Sequence, residues 1–565
     1  MPSLAEILYG IVDPLRINHL ISTFLPSYGA AKTAAGPAPR HRVNHNNLPI
    51  HAKNVFGAVV IEKLHALTSV SASLVVELKY QLGWLSDDSR YVNVPLCSAD
   101  NLPQARLTAK DVVDLLKVKL IREIHPSKVR GAVKMFTVAE LTKARKRPIR
   151  HTADSNAVFP RKDPLHPVTM ATKNDIIKLV HAGAYMASHD LAGWFDQLAY
   201  SDDVGSRFCF RSGNKCYAIT CLAMGQRQSV GVASAVTRRL LDFKHRSAKC
   251  LIVIDNIIFV GSKEDVIADS IEFRRRCADA GAILNDLDVP VEQLAVQRGD
   301  WCGVSLDLIN KTVALQQKAV GKTLLSWSLH TEWTWRTFHS CIGSLFWSMG
   351  ILDVPVHQKF RLMRFISRVG ADLSAHPELW DAPAHVWPCA LEDIKSWVDL
   401  IERNKPRHVP LDEEPQWLIA TDASRFGWGY VAINTASHQI RSHGVPWSPY
   451  LEQKYGENLG HSTTAEPIGL VNSVCHLFAP HKGVRKVRIA TDNTATKFSF
   501  NRGFSTHSLI INQSIGRLRS LFPDTDFDIV HVAGIHNWAD GPSRGRPLSP
   551  DEEQEAAHDM LQSMG

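Results

Sequence analysis

Hydrophobic and polar positions change their spacing along the chain and predict several kinds of segment. Between residues 175 and 282, short apolar runs alternate with stretches whose apolar side chains recur every three or four positions, which predicts alternating strands and helices. Residues 316–403 carry mostly the helical spacing. Beyond residue 417, strand-like runs again alternate with helical stretches, which predicts a compact α/β domain. The fold class is therefore α/β with several domains, as a length of 565 residues also suggests.

The stretch Leu251–Gly261 predicts a tight β-hairpin. Two runs rich in Ile and Val flank the dipeptide Asp255-Asn256, and Asp or Asn between two such runs is typical of a hairpin turn. We expect both strands to be largely buried, so that the turn presents one carboxylate on an otherwise apolar element. Taken alone, an acid at a hairpin tip is more often a turn residue than a metal ligand.

Stretches of distinctive composition separate these segments. Residues 25–53 are rich in Pro, Gly, Ala and His, which predicts a flexible basic linker after a short N-terminal helix. Residues 405–416 contain three Pro and a cluster of charges, which predicts the main domain boundary. The end of the chain predicts an acidic helical tail. The predicted segments are 1–53, 54–315, 316–404, 405–416, 417–548 and 549–565.

Charge and cysteine content narrow the class of protein. The net charge of +8 and the pI of 8.9 fit a nucleic-acid partner. The 10 Cys include no Cys-x-x-Cys pair, so neither a zinc cage nor a disulfide framework is indicated. Reduced thiols suit an intracellular protein, cytoplasmic or nuclear. No apolar run approaches the ~18 residues that span a bilayer, and the N-terminus lacks the basic start of a secretory signal. We therefore expect no membrane partner.

A series of motifs in the first half of the chain points to nucleotide chemistry. Asp190 ends a strand-like segment and precedes Phe195 by five residues. A hairpin-like pair and the loop 222–229 follow, and then comes the hairpin with Asp255. Taken alone, Asp190 is more often a strand-end cap than a ligand. Taken in this order, the motifs resemble the palm of reverse transcriptases, and the resemblance implies an α+β right-hand polymerase with fingers, palm and thumb.

The resemblance implies a metal site. In the family, carboxylates on two neighbouring strands bind two Mg²⁺ (or Mn²⁺) ions, and Asp190 and Asp255 occupy those places here. Joining a nucleotide to a primer needs one ion to lower the pKa of the attacking hydroxyl and another to neutralise the triphosphate. The implied partners are an RNA template, a DNA primer and deoxynucleoside triphosphates.

The same resemblance implies a set of nucleotide-binding residues. Phe195 takes the place of the aromatic residue that lies under the sugar and excludes a 2′-OH. Gly225 lets the backbone approach the template–primer. Gln226 and Arg227 lie where the family contacts the incoming nucleotide and the template. Arg147, within a basic run, matches the fingers residue that holds the triphosphate.

Four positions depart from the family pattern. Asn256 stands where the family usually has a second Asp, and Asp288 stands where it usually has a Lys that can protonate the leaving pyrophosphate. In the fingers, His151 and Ala153 replace an Asp and an Arg. Asn256 removes one charge but keeps nearly the same shape. In the family the first Asp of the pair does most of the metal bridging, so the resemblance implies weakened rather than abolished metal binding. Loss of the Lys removes a proton donor worth about 10²–10⁴-fold in rate.

The second half of the chain carries four acids, each in its own motif. Asp422 and Asp492 each end an apolar strand, whereas Glu466 starts a helix. Asp540 lies just before a turn, and Asn537 is expected to help position it. In this order the acids resemble the tetrad of the ribonuclease H fold, in the form found in LTR-type and DIRS-like retroelements. The resemblance implies two Mg²⁺ or Mn²⁺ ions that activate water to cleave the RNA of an RNA–DNA hybrid.

These motifs support one main hypothesis and two alternatives. The main hypothesis is a retroelement reverse transcriptase–ribonuclease H, with fingers and palm in 54–315, thumb and connection in 316–404, and a ribonuclease H-like domain in 417–548. The first alternative is a domesticated or decayed copy, suggested by Asn256 and Asp288, with an impaired polymerase that keeps hybrid cleavage. The second alternative is a scaffold that only binds nucleic acid.

Overall fold

The computed structural model describes most of the chain, namely residues 48–140, 143–160, 165–168, 170–329, 333–411, 413–478 and 483–564. The predicted N-terminal helix and residues 25–47 of the predicted linker lie outside the described residues. Contacts divide the described chain into two units. The first unit contains residues 48–321 and 406–409, and the second contains residues 322–405 and 410–564.

The first unit combines short helices with small sheets. Its helices are α1 (Ile61–Ala66), α2 (Ala72–Ser86), α3 (Ala109–Lys117), α4 (Ala153–Asn156), α5 (Lys173–Lys178), α6 (Asp202–Gly205), α7 (Ser229–Leu240), α8 (Lys263–Ala280) and α9 (Val291–Leu294). Its strands are β1 (Ile121–Glu123), β2 (Lys134–Glu140), β3 (Arg145–His151), β4 (Tyr185–Asp190), β5 (Cys209–Ser212), β6 (Lys215–Ile219), β7 (Lys249–Val253), β8 (Asn256–Gly261), β9 (Arg298–Trp301), β10 (Val304–Asp307), β11 (Thr312–Leu315) and β12 (Arg407–His408). Helix α10 (Gln317–Leu329) continues from the first unit into the second.

The sheet that carries the two acids of the predicted polymerase site has the strand order β4–β8–β7 and is antiparallel throughout. The central strand β8 is buried over residues 257–261, because helix α8 packs on β4 and β8. Ser262 caps the start of α8 by accepting a hydrogen bond from a backbone N–H. Gly281, with a φ of 80°, ends the helix, and a glycine just after a helical stretch is a typical sequence signal for a helix end.

The hairpin between β7 and β8 differs from its prediction in two respects. Val253 pairs with Asn256 across the hairpin. The turn residues are therefore Ile254 and Asp255, one position earlier than predicted. Asn256 belongs to β8 because it also pairs with Asp190 of β4, and this pairing moves the turn back to Ile254, whose φ is 59°. Strand β7 is only half-buried, because it forms the edge of the sheet.

The described residues of the first unit form three further sheets. Strands β2 and β3 form a two-stranded hairpin, and β1, β6 and β5 form an antiparallel sheet in that order. The last sheet has the order β12–β11–β10–β9. Its edge strand β12 comes from the predicted linker 405–416 and pairs with residues 312–313. Part of that segment therefore belongs to the first unit, while the other predicted boundaries stay predictions.

The second unit begins with helices and continues into an α/β sheet. Its helices are α11 (Trp335–Ser348), α12 (Phe360–Ala375), α13 (Pro388–Arg403), α14 (Pro449–Tyr455), α15 (Ser462–Leu477), α16 (Thr494–Arg502), α17 (Leu509–Leu521), α18 (Asp540–Ser543) and α19 (Pro550–Met564). Its strands are β13 (Trp417–Ala423), β14 (Gly427–Asn434), β15 (Ile440–Pro446), β16 (Lys486–Thr491) and β17 (Asp526–His531).

Aromatic side chains form the core of the first helices in this unit. The ring centroids of Trp327 and Trp333 lie 5.0 Å apart, and both rings contact Phe338. All three side chains are buried, so they act as core residues rather than as an exposed stacking surface. In the described ranges, no helix is both long enough and apolar enough to cross a bilayer.

The five-stranded sheet has the order β15–β14–β13–β16–β17, in which β13, β16 and β17 are parallel. Alternate residues of a strand point to opposite faces. Ile419 of β13 packs in one core with α15 and α17, whereas Leu418 and Ala420 pack in a second core with α19. Helices thus cover both faces of the sheet, as in other α/β layers.

The last helix, α19, is acidic and helical as predicted, but it is not a tail. Its residues Ala556, Met560 and Met564 are buried in the core on one face of the sheet. The sequence does not indicate the buried face of this helix, because its first turn, 551–553, is acidic and its apolar positions are few and widely spaced. The described chain as a whole is a mixed α/β protein.

Candidate metal centres and nucleotide site

Three of the four acids predicted for the nuclease meet at one edge of the five-stranded sheet. Asp422 lies near the end of β13, and Asp492 directly follows the parallel neighbour β16, so both reach the same edge. Glu466 lies in α15, which packs on β13. Carboxylate oxygens of the three residues all lie within 4.8 Å of one another. Three oxygen donors in this arrangement fit a hard divalent cation such as Mg²⁺ or Mn²⁺.

The electrostatics of this trio favour a bound cation. Burial raises the pKa of Asp422 and of Asp492. Burial and the two neighbouring carboxylates raise the pKa of Glu466 to about 9. Glu466 accepts hydrogen bonds from the N–H of Ala423 at 3.2 Å and from the hydroxyl of Thr491 at 3.4 Å. A cation between the three acids would offset the burial and the repulsion that raise the pKa of Glu466.

The fourth acid, Asp540, lies beside the trio on the short helix α18. Its charge raises the pKa of two members of the trio. Its carboxylate accepts hydrogen bonds from Nη2 and Nε of Arg544 at 2.7 and 3.1 Å. Helix α18 approaches the sheet over Gly429 and Gly444, where a Cβ would collide with the backbone of residues 542–543. All four predicted nuclease acids are thus brought together.

Two polar side chains attach this segment to β13. Asn537 donates from Nδ2 to the carbonyl of Thr421 at 3.0 Å, and Asp540 donates its N–H to the carbonyl of Asn537. Asn537 therefore lies where the sequence suggests that it positions Asp540. The hydroxyl of Ser543 donates to Oδ2 of Asp422. The sequence alone does not predict this contact, because the two residues are 121 positions apart.

The two acids predicted for the polymerase site lie side by side. Asp190 is the last residue of β4, and the N–H that follows it, on Leu191, donates to the carbonyl of Asp255 at 3.0 Å. Burial raises the pKa of both carboxyl groups, and the charge of Asp190 raises the pKa of Asp255 further. Asn256 donates from Nδ2 to Oδ1 of Asp255 at 3.0 Å. Two carboxylates suffice for Mg²⁺ where substrate phosphates supply further oxygen ligands.

A hydrogen-bonded chain holds Asp190 from its other side. Asn285 donates from Nδ2 to Oδ2 of Asp190 at 2.5 Å, and Lys53 donates to Oδ1 of Asn285. The hydrogen bond from Asn285 and the charge of Lys53 both lower the pKa of Asp190 and so oppose the effect of burial. The sequence alone predicts neither of these contacts. Lys53 is 232 positions from Asn285, and no local pattern connects them.

A cavity of about 380 Å³ opens in front of Asp190 and Asp255. Its lining carries more cationic than anionic side chains, a surplus that fits a polyanionic ligand such as a triphosphate. The anionic members are Asp190, Asp196 and Asp255. The cationic members are Lys53, Lys143, Arg145, Arg147 and Arg150.

Three of the predicted nucleotide-binding residues lie at or beside this cavity. Arg147 and Phe195 line it, and Arg147 also pairs with Glu140 at 2.9 Å. Gly225 directly follows Met224, another lining residue. Gly225 has a φ of 98°, and no heavy atom lies within 4 Å of the place that a Cβ would take. This open backbone leaves room for a close approach by a ligand.

The other two predicted residues, Gln226 and Arg227, do not line the cavity. Gln226 is 2% exposed, and its amide bonds with the hydroxyls of Tyr200 at 2.6 Å and Tyr91 at 3.1 Å. The guanidinium of Arg227 donates to the carbonyl of Phe159. Both side chains therefore support the loop in this structure. Sequence order could not show this, because neighbouring loop residues can point in opposite directions.

Comparisons with known proteins give structural similarities only. No protein-family description matches this sequence, and no curated protein is similar to it in sequence. One similar solved structure is the foamy viral protease-reverse transcriptase dRH in complex with double-stranded DNA, with a TM-score of 0.44 and 13% identity over 83% of this chain and 81% of that chain.

Two further solved structures of the foamy viral protease-reverse transcriptase are similar to this chain. The one in complex with double-stranded DNA has a TM-score of 0.41 and 14% identity over 83% of this chain and 96% of that chain. The one in complex with an RNA/DNA hybrid has a TM-score of 0.43 and 13% identity over 83% of this chain and 62% of that chain. At identities this low, the function has to be argued from this chain's own side chains.

Proposed function

We propose that this chain is a reverse transcriptase–ribonuclease H of an LTR-type or DIRS-like retroelement. It would copy RNA into DNA and degrade the RNA strand of the resulting hybrid. The observation that carries the proposal is the convergence of Asp422, Glu466 and Asp492 within 4.8 Å, with Asp540 beside them. Four carboxylates from separate elements are costly to hold together unless they bind cations.

In the nuclease, the side chains around the acids fix the ligand geometry. Ser543 orients Asp422 through a hydrogen bond to Oδ2. Thr491 and the N–H of Ala423 orient Glu466. When bound, two divalent cations at each of the two proposed sites supply activation of the attacking oxygen and stabilisation of the leaving oxygen. The substrate of this site would be the RNA strand of an RNA–DNA hybrid.

In the proposed polymerase site, one set of cavity side chains would bind the metal ions and another set would bind the nucleotide. Asp190 and Asp255 would bind the cations, while Arg147 would bind the triphosphate. Phe195 would contact the sugar and exclude a 2′-OH, which makes deoxynucleoside triphosphates the substrates. The surplus of positive charge in the cavity supports this assignment. An RNA template and a DNA primer complete the proposed set of partners.

A second candidate function is the nuclease with an impaired polymerase. Asn256 supports it, because this residue pairs with Asp190 and offers an amide to Asp255 where the related enzymes usually add a carboxylate. In the described chain, the nuclease trio is the only group of three or more such acidic, His or Cys ligands within 4.8 Å of one another. The polymerase site therefore has fewer protein ligands than the nuclease site.

Two parallel assays test both candidates. Primer extension on an RNA template and cleavage of an RNA–DNA hybrid are measured with Mg²⁺ and with Mn²⁺, on wild type, Asp190→Asn and Asp492→Asn. Each substitution should reduce its own reaction by at least ~100-fold, because loss of a metal ligand costs more than loss of its outer partners, and should spare the other reaction.

Matched acids outside the sites provide the controls. Asp279→Asn in α8 and Asp381→Asn in the second unit each remove an exposed ion pair and should leave both reactions unchanged. Cleavage without extension by folded wild-type protein would select the impaired polymerase. Hybrid cleavage that persists in Asp492→Asn would contradict the nuclease proposal.

A further inference from the structure

Arg150 is a buried cation that the proposed function leaves without a role. It lies on β3, is 6% exposed and lines the cavity. Its guanidinium donates to Oδ1 of Asp196 at 2.8 Å and to the carbonyl of Leu222 at 3.3 Å. Oδ1 of Asp196 also accepts a hydrogen bond from the thiol of Cys221 at 3.5 Å. Because an unpaired buried charge is costly, these contacts hold the guanidinium in one place.

The contacts of Arg150 join three segments that the proposed function assigns to the nucleotide. Strand β3 also carries Arg147. Asp196 directly follows Phe195 within one short 3-10 helix, residues 194–197. The carbonyl acceptor at residue 222 lies at the start of the loop that reaches Gly225. The guanidinium of Arg150 thus connects the segments that carry three residues of the proposed nucleotide site, namely Arg147, Phe195 and Gly225.

We propose that Arg150 is a positioning residue for sugar selection. Through Asp196 it fixes Phe195 at the place where the ring excludes a 2′-OH, so the ion pair sets the discrimination between deoxyribonucleotides and ribonucleotides. This inference rests on the polymerase half of the proposed function. Its physical basis is that the buried guanidinium of Arg150 has little freedom and holds the partly exposed Asp196 by a short ion pair, and that the half-buried Phe195 directly precedes Asp196 in the chain.

The test measures nucleotide binding without requiring incorporation. A chain-terminated primer on an RNA template is incubated with the full-length protein, Ca²⁺ and either dATP or ATP opposite a template uracil. The readout is the nucleotide concentration that keeps the protein bound to the primer–template when heparin is added to trap free protein. Wild type should need far less dATP than ATP. Arg150→Met and Asp196→Asn should each reduce this ratio by about 10-fold, since small misplacements of a positioning group carry costs of that order or larger.

Three further variants separate positioning from general stability. The double variant Arg150→Met/Asp196→Asn should lose no more discrimination than either single variant, because both remove the same interaction. Arg150→Lys keeps the charge and should give an intermediate ratio. Arg239→Met breaks another buried ion pair of the same unit, with Asp242 at 3.0 Å, and should leave the ratio unchanged. If Arg150→Met does not fold, Asp196→Asn is compared with Arg239→Met in its place.

The outcomes distinguish this inference from the proposed function. An unchanged ratio in folded Arg150→Met or Asp196→Asn, or an equal loss in Arg239→Met, would overturn the inference. Equal binding of dATP and ATP by wild type would also overturn it, because there would be no discrimination to set. Wild type that discriminates but does not extend a primer would overturn the polymerase activity and leave the role of Arg150 standing.

Discussion

Glu466 is the residue whose ionisation opposes folding most directly in the nuclease site. Its pKa is about 9 in the folded chain against 4.5 for an isolated Glu. A carboxyl group with a raised folded pKa stabilises the fold fully below its unfolded pKa, and this stability is lost as pH rises through the folded pKa. Metal-free protein should therefore lose stability between about pH 4.5 and 9.

Glu466→Gln should remove this loss. In chelator at pH 8, the variant should melt roughly 10 °C above wild type, since pH 8 lies about 3.5 units above the unfolded pKa of 4.5, each unit is worth ~1.4 kcal/mol and each kcal/mol shifts melting by ~2–4 °C. The measurement is thermal unfolding at pH 5 and pH 8, with and without Mg²⁺. At pH 5 the difference should shrink, and Mg²⁺ should stabilise wild type only. Equal melting temperatures of both proteins at pH 8 in chelator would contradict this reasoning.

We expect Asn256 to limit metal binding at the proposed polymerase site. Asn256→Asp replaces an amide that donates to Asp255 with a third carboxylate beside Asp190. Primer extension should rise by about 10-fold or more at limiting Mg²⁺, because an added anionic ligand strengthens binding of a hard cation. The measurement is the Mg²⁺ concentration at half-maximal extension.

Asn310→Asp is the matched control for this substitution. The exposed amide of Asn310 donates to the carboxylate of Asp307 at 2.9 Å, so the change in charge is the same but lies outside the cavity. The control should leave the Mg²⁺ dependence unaltered. If Asn256→Asp also has no effect, the second acid is dispensable in this chain.

At the scale of residues, the sequence predicts the acids and Asn537 but not the other side chains that hold the acids in place. Asp190, Asp422 and Asp492 could be predicted because each follows a run of strand residues within an ordered set of motifs. Asn285 and Ser543 could not, since they lie 95 and 121 positions from the acids that they contact. A polar residue that acts through a long-range hydrogen bond leaves no periodic signal.

At the scale of elements, helix α3 and strand β3 are joined by a buried ion pair. Lys146 of β3 donates to Asp111 of α3 at 2.8 Å, and both side chains are less than 5% exposed. Asp111→Asn keeps the shape but leaves the buried ammonium without this carboxylate. We expect a loss of about 3–5 kcal/mol in the unfolding of the first unit, measured in urea.

An exposed pair in the same region provides the comparison. Lys134 of β2 pairs with Asp154 at 3.1 Å, and both side chains are more than half exposed. Asp154→Asn should therefore cost less than ~1 kcal/mol. Equal losses in the two variants would mean that the buried pair contributes no more than a surface pair.

Elements with a local signal were predicted well, and those fixed by distant pairing were not. Helix α8 begins at a capping Ser and ends at Gly281, and both signals are local. The turn between β7 and β8 shifted by one residue because β4, which is distant in sequence, pairs with Asn256. The sequence predicts a linker where strand β12 lies, because a strand of two residues beside a proline carries no strand pattern.

At the scale of the molecule, we expect the proposed nuclease to need the C-terminal helix α19, although none of its four acids lies in that helix. Deletion of residues 550–565 exposes the face of the sheet that α19 covers, and several buried apolar side chains lose their contacts. We expect hybrid cleavage to be lost and the second unit to become protease-sensitive. The measurement is cleavage activity together with limited proteolysis.

Glu555→Ala, an exposed change on the same helix, should leave cleavage and protease resistance as in wild type. Full activity of the deletion variant would show that α19 is not needed for the nuclease. A loss confined to activity, with proteolysis unchanged, would also contradict a core role for the helix.

Strand β12 imposes an order of events on a chain as it is being synthesised. Thr312 of β11 pairs with His408, so the four-stranded sheet needs residues from both sides of the segment 322–405. The nascent first unit cannot complete this sheet until His408 has left the ribosome, by which time residues 322–405 have also been synthesised. Until then β11 offers an open edge, the kind of surface on which neighbouring nascent chains pair and aggregate.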